Sequence, residues 1–289
     1  MYQPDRELLR LLPRVLRARD FHLYLENGKR LTDLWLHGGR AILGHKPPRV
    51  LAELKNAAER GLFTPLPHPQ EKRFLKALGE FFPDRAFRLY MNEGSLYNAL
   101  TVAGFTGDMA FPDPAFPSDY NAGTDSVADK ASVSLWRPFV EPPDDGEPGA
   151  PILIPVLPWP LSPSVLVLDK SLEASFPAGE IIPPVLLAPA TRVLYDLAVK
   201  IRTPDRQRYR KIEKVLDVRK SGESPDGSSW CRRGIYLTTN AGMEKYEILF
   251  KRFLEGGFLL PPSAREPVIL PASMSKGEEA KLAELLAVS

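Results

Sequence analysis

Proline is the residue that most limits what this chain can fold into. Thirty of its 289 residues are prolines, about twice the usual share of ~5%, and they crowd positions 111–204. Proline has no amide hydrogen and clashes with the preceding helical turn, so long regular helices are not expected there. The helical patterns lie elsewhere. Residues 48–60 are amphipathic, with Pro47 and Pro48 suited to a first turn. Residues 71–82 put Phe74, Leu75, Leu78 and Phe81 on one side. Residues 6–19 carry an apolar stripe interrupted at Pro13. Residues 21–25 and 30–35 flank Asn27-Gly28, the signature of a β-hairpin. Beyond a Gly/Ser/Asp-rich linker at 221–229, residues 233–238 read as a strand, and 246–255 and 276–288 as helices.

Composition narrows the function classes. The net charge is +2, so no global field points to nucleic acid. The helix at 205–220 is basic, but no aromatic platform accompanies it, and a solvated face is its reading. No apolar run reaches the ~20 residues that span a bilayer, and the first residues lack the apolar core of a signal peptide. A single cysteine, Cys231, excludes an internal disulfide, as expected of a cytoplasmic protein. The four histidines form no i,i+4 pair, so no metal site is expected. The acidic turn Asp144-Asp145-Gly146-Glu147 reads as solvated.

Two stretches carry chemistry. Val165, Leu166, Val167 and Leu168 form a short apolar run suited to a buried strand, followed by Asp169 and Lys170. A lysine at a sheet's mouth can lose solvation, drop in pKa and form a Schiff base, although a lysine after a strand is ordinarily solvated. Near position 90, Tyr90-Met91-Asn92-Glu93-Gly94-Ser95 reads as a strand passing through a turn into a helix. The first N–H groups of such a helix suit an anion, and the same residues also make an ordinary helix cap.

The motifs then converge on one family. Pro163, the apolar run, Lys170, Leu172 and Phe176-Pro177-Ala178-Gly179 resemble the cofactor-lysine segment of the class III aminotransferases, which depend on pyridoxal 5'-phosphate (PLP). Glu173-Ala174-Ser175 stand where that family has three glycines. Asp33-Leu34, the glycines at 38 and 39, Leu43-Gly44-His45 and Pro47 resemble the family's N-terminal entry, in which His45 packs a loop. Asn92-Glu93-Gly94-Ser95, closed by Thr106-Gly107, resembles its phosphate cup. Arg233-Gly234 and Gly256-Gly257-Phe258-Leu259-Leu260-Pro261 resemble its small domain.

The resemblance implies an α/β protein of PLP-dependent transferase fold type I. It would have a shortened, mostly parallel large domain at 46–220, a small α+β domain at 221–289, and an N-terminal segment at 1–45 contributing to the small domain. It also implies PLP on Lys170, with Gly94, Ser95 and Leu96 around the phosphate and Thr203 reaching a partner's cofactor in a homodimer. Phe116 and Tyr120 are candidate ring-stacking residues, though exposed loop positions suit them too. The strand at 151–159 holds no acid to pair with the pyridine nitrogen. Only 76 positions separate Gly94 from Lys170, fewer than the family uses. Two functions stay open: an aminotransferase acting on an amino compound, or a non-catalytic homologue with a binding or structural role.

Overall fold

Pro13 divides the first expected helix into two different elements. In the computed structural model, which describes residues 5–105, 111–117, 133–140, 150–202, 209–220 and 230–288, α1 (Arg6–Arg10) is only five residues long. A strand follows it, β1 (Val15–Arg19). Its apolar residues form no buried stripe, since Leu16 stands in solvent on a sheet edge. β2 (His22–Leu25) and β3 (Arg30–Asp33) make the expected hairpin. Gly28 turns it at φ +77°, a left-handed conformation natural to glycine. α2 (Pro48–Glu59) and α3 (Pro69–Gly79) then begin on prolines, whose missing N–H costs nothing in a first turn.

β4 (Arg85–Tyr90) leads into α4 (Glu93–Val102), and β5 (Val133–Trp136), β6 (Ile152–Pro155) and β7 (Ser164–Asp169) complete one sheet in the order β4-β7-β6-β5. β5 and β6 are parallel, whereas β7 is antiparallel to both of its neighbours, β4 and β6. Three strands therefore point one way and β7 alone runs back between two of them. Val165 and Val167 face Phe74 and Leu78 of α3; Leu166 and Leu168 face Leu96 and Leu100 of α4. Burial on both faces is why this strand reads as an unbroken apolar run. Each of those four side chains, all within 1% of full burial, stabilises the fold by about 1.5–3 kcal/mol.

α5 (Pro184–Arg202) corrects an expectation. It is a 19-residue helix inside the proline-rich region, where no long helix was expected, and it opens on the apolar run Val185-Leu186-Leu187. Pro184 opens it, and Pro189 lies in its second turn, so a single internal bond is forfeited. Short apolar runs do not distinguish a buried strand from a buried helix.

The remaining elements are α6 (Arg210–Lys220), β8 (Trp230–Arg233), β9 (Tyr236–Thr239), α7 (Met243–Glu255), β10 (Phe258–Leu259), β11 (Val268–Ile269) and α8 (Lys276–Val288). The single strand expected at 233–238 is a hairpin, β8 with β9, turning at Gly234. β10 adds in parallel to β3, so the two ends of the chain share the sheet β1-β2-β3-β10. One core joins Leu23 and Leu31 to Phe250, Phe253 and Leu282. Ile212 and Leu216 of α6 enter this same core, and the helix packs on α8. The structure is thus α/β, with a layered sheet domain and a smaller α+β unit built from both chain ends.

Candidate functional site

In a sheet of this type ligands gather beyond the carboxyl ends of the codirectional strands. β4 reaches that side at Met91 and turns into α4. Asn92 is extended, and its Oδ1 accepts the Ser95 N–H at 3.0 Å, which starts the helix. The Leu96 N–H goes to the Asn92 carbonyl, and the Leu96 side chain is buried beneath the helix. Glu180 Oε2 accepts the Met91 N–H at 2.6 Å. Glu93, in the first turn where the helix dipole favours a carboxylate, meets Arg40 at 2.6 Å. Gly94 is exposed and Ser95 half-buried. Two carboxylates and an amide oxygen thus surround the place where a phosphate cup was expected.

Side chains nearby respond to this setting. Burial lowers the pKa of His37, helped by Arg40 and opposed by Asp33 and Glu93. Burial also pushes the Tyr97 hydroxyl up to about 12, with Glu93 adding to the effect and Arg40 opposing it. His45 packs a loop as expected: its Nε2 lies 2.8 Å from Asp33 Oδ2, while Asp33 Oδ1 accepts the Trp35 and Leu36 N–H groups.

Where β5 ends, Arg137 enters a buried pair that sequence reasoning missed. Its Nε and Nη2 each donate to Asp113 at 2.7 Å, and its Nη1 donates to the Gly38 carbonyl at 2.7 Å. Both charged side chains are at most 3% exposed. Burial alone would favour neutral Arg137; Asp113 more than reverses that and raises its pKa. Nothing in the sequence links positions 113 and 137, which lie in separate proline-flanked segments. Leu36, His37, Gly38 and Gly39 follow one another with positive φ, pressing this loop onto the sheet. A Cβ on Gly39 would sit 3.3 Å from Arg137 Nη1 and 3.4 Å from Val156 Cγ1. Phe116 is likewise buried, in the core beside Leu36 and Tyr236, and not in an exposed loop. The 36–39 loop thus packs directly on Arg137 and Val156 at the ends of β5 and β6.

Lys170 lies elsewhere. In the β4–β7 register Tyr90 faces Ser164 and Arg85 faces Asp169. The residue after β7 therefore emerges where β4 begins, a strand's length (roughly 17 Å) from the α4 N-terminus. Its Nζ stands 3.4 Å from Asp84 Oδ1, with side chains 64% and 94% exposed respectively. Asp169 caps the 3-10 turn Lys170–Ser175 through the Ser171 N–H. The residues leaving the carboxyl ends of β4, β5 and β6 are Met91, Arg137 and Val156; none is lysine. Thr203 and Tyr120 lie outside the described residues, as does the acidic turn at 144–147. Among the described residues, no group of three His, Cys, Asp or Glu could hold a metal, and no helix is long and apolar enough to cross a membrane.

No family model matches the chain. A protein of Treponema pallidum (strain Nichols), described as uncharacterized, is 27% identical over 301 residues, spanning 92% of this chain and 91% of that one. A glutamate-1-semialdehyde 2,1-aminomutase of Thermus thermophilus is 32% identical over 98 residues, 33% of this chain and 23% of that one. Among solved structures, the chain matches one described as a transaminase with PLP bound at a TM-score of 0.68 and 13% identity, covering 94% of this chain and 89% of that one. It matches a glutamate-1-semialdehyde aminomutase from Pseudomonas aeruginosa PAO1 at 0.65 and 12%, covering 94% and 86%. The chain has the fold of the class III PLP-dependent aminotransferases. The expected fold type is therefore correct, in a divergent form.

The residues expected to hold PLP do not fit it as a set. A Schiff-base lysine and a phosphate cup must face one cofactor, and Lys170 and Ser95 sit at opposite ends of the aminotransferase-like sheet. In the cup itself the Met91 N–H is already taken by the Glu180 carboxylate and the Ser95 N–H by Asn92 Oδ1, while Arg40 is spent on Glu93. Every lysine whose burial is described is exposed, Lys170 included. None sits in the enclosed surroundings in which a Schiff-base amine is held.

Proposed function

We propose that this chain is a non-catalytic protein built on the aminotransferase fold, forming no Schiff base with PLP and serving as a binding scaffold. The observation that carries the reading is the reversed direction of β7, which takes Lys170 away from the α4 N-terminus. Amino transfer needs one amine to release the cofactor and then to move a substrate proton, both within hydrogen-bond reach. An exposed lysine a strand's length away does neither. Homodimeric assembly and a cytoplasmic location go with this proposal, and sedimentation of the purified protein tests the first.

The deciding experiment incubates the full chain with PLP, reduces it with borohydride and maps the product by mass spectrometry. The expected result is scattered, substoichiometric labelling of surface lysines, unchanged in Lys170→Ala. Stoichiometric labelling of one lysine, with a yellow band that reduction removes, would overturn the proposal.

A further inference from the structure

On the face of the sheet opposite α4, a cavity of about 300 Å3 opens between α2, α3 and the start of α5. That volume lies at the lower end of small-molecule sites. Its floor is apolar, at Pro184 and Ala188, and its polar wall comes from Glu53, Asn56, Arg60, His68, Gln70 and Arg73. Arg60 ends α2 and Arg73 lies in the second turn of α3. Neither arginine takes an ion pair or side-chain hydrogen bond among the described residues. Elsewhere guanidiniums find carboxylates: Arg40 with Glu93, Arg88 with Glu173, Arg137 with Asp113, Arg232 with Glu213. Two guanidiniums against one carboxylate leave the cavity wall positive.

The remaining wall is already arranged. His68 caps α3 by accepting the Gln70 N–H on Nδ1 at 3.1 Å. In the neutral ring this puts the proton on Nε2, a donor for a ligand. The Gln70 side chain is fixed by donating to Thr191 Oγ1 at 2.9 Å. The 11-residue α3 presents its N-terminal dipole at the same place.

We propose that this cavity is a binding site for a small phosphorylated molecule, with Arg60 and Arg73 holding the phosphate and Glu53 and Asn56 facing its hydroxyl or amine groups. Planar guanidinium forks match a phosphate's oxygens in pairs, and a dianion neutralises both of them. The site does not depend on the α4 region, because α3 and α5 cover one face of the sheet and α4 the other. It therefore stands or falls separately from the absence of Schiff-base chemistry.

The test titrates inorganic phosphate into the full chain at constant ionic strength, followed by 31P NMR and calorimetry, with chloride as the control. Saturable binding at one site is expected, weakened about tenfold or more by Arg60→Ala or by Arg73→Ala and unchanged by Ser95→Ala. Circular dichroism checks that these variants of exposed residues stay folded. Absence of saturable binding, equal affinity in the doubly substituted chain, or loss in Ser95→Ala would each overturn the proposal.

Discussion

At the end of the sheet where β4, β5 and β6 finish, Arg137 and Asp113 are shut away from water and joined by three hydrogen bonds. At the other end, Lys170 and Asp84 meet at 3.4 Å in open solvent. Both are pairs of opposite charge beside the same strands. The first is expensive to break because a lone buried charge has no solvent to turn to, whereas the second exchanges its partner for water freely. The residue that resembled a catalytic group occupies the exposed end. The residues that hold the 36–39 loop on the sheet occupy the end where catalysis would be expected.

Four measurements break or sharpen this contrast. The largest effect is expected for Asp113→Ala, which strands the Arg137 charge and should cost about 3–5 kcal/mol in urea unfolding. Adding Arg137→Met should recover much of that loss, and a cost near zero for Asp113→Ala would refute the buried pair. Next comes Gly179, whose backbone runs along the strand joining the two ends. A Cβ there would lie 2.9 Å from the Leu89 amide nitrogen and carbonyl oxygen. Gly179→Ala is therefore expected to destabilise by about 1–3 kcal/mol, read from the same transition.

A third group lies between the extremes. The Glu278 side chain is 17% exposed. Partial burial would raise its pKa, but the Ser275 N–H and hydroxyl, His22 and Thr32 outweigh that and hold the carboxyl at about 2, against an ordinary 4.5. A depressed folded-state pKa stabilises above the unfolded value, and the contribution is lost as pH falls through the folded one. The thermal midpoint should thus decline between pH 4.5 and about 2, and Glu278→Gln should flatten that decline. An identical acid limb in the variant would show that Glu278 is uncoupled from folding. Smallest of all is Lys170→Ala, expected within about 0.5 kcal/mol of the parent by the same urea assay. A loss above ~1 kcal/mol would mean that this end of the sheet is buried after all.

Local chemistry was legible in the sequence; direction and company were not. Asn27-Gly28 specified its hairpin because a two-residue signal is enough to set a turn. Val165 to Leu168 announced a strand buried on both faces, but an apolar run carries no arrow, and the reversal of β7 is a property of its neighbours β4 and β6. The start of α4 at Asn92 to Ser95 was readable from its capping pattern. That Glu180, far along the chain, would close over Met91 was not. Residues 6–19 were misread because an exposed edge strand lacks the buried face that gives period-two alternation its contrast, while the leucines nearby imitate a helical stripe. The pairing of Asp113 with Arg137 depends wholly on how two loops meet in space.

The parallel pairing of β10 with β3 has a consequence for how the protein is made. The hairpin of β2 and β3 is made first, and the strand that covers its β3 edge is encoded more than two hundred positions later. Until Phe258 and Leu259 have been made, that edge stays open to unwanted pairing. A nascent chain halted before Phe258 should consequently be a client for chaperones, with β4 to β7 already made and β3 still lacking the strand that covers it.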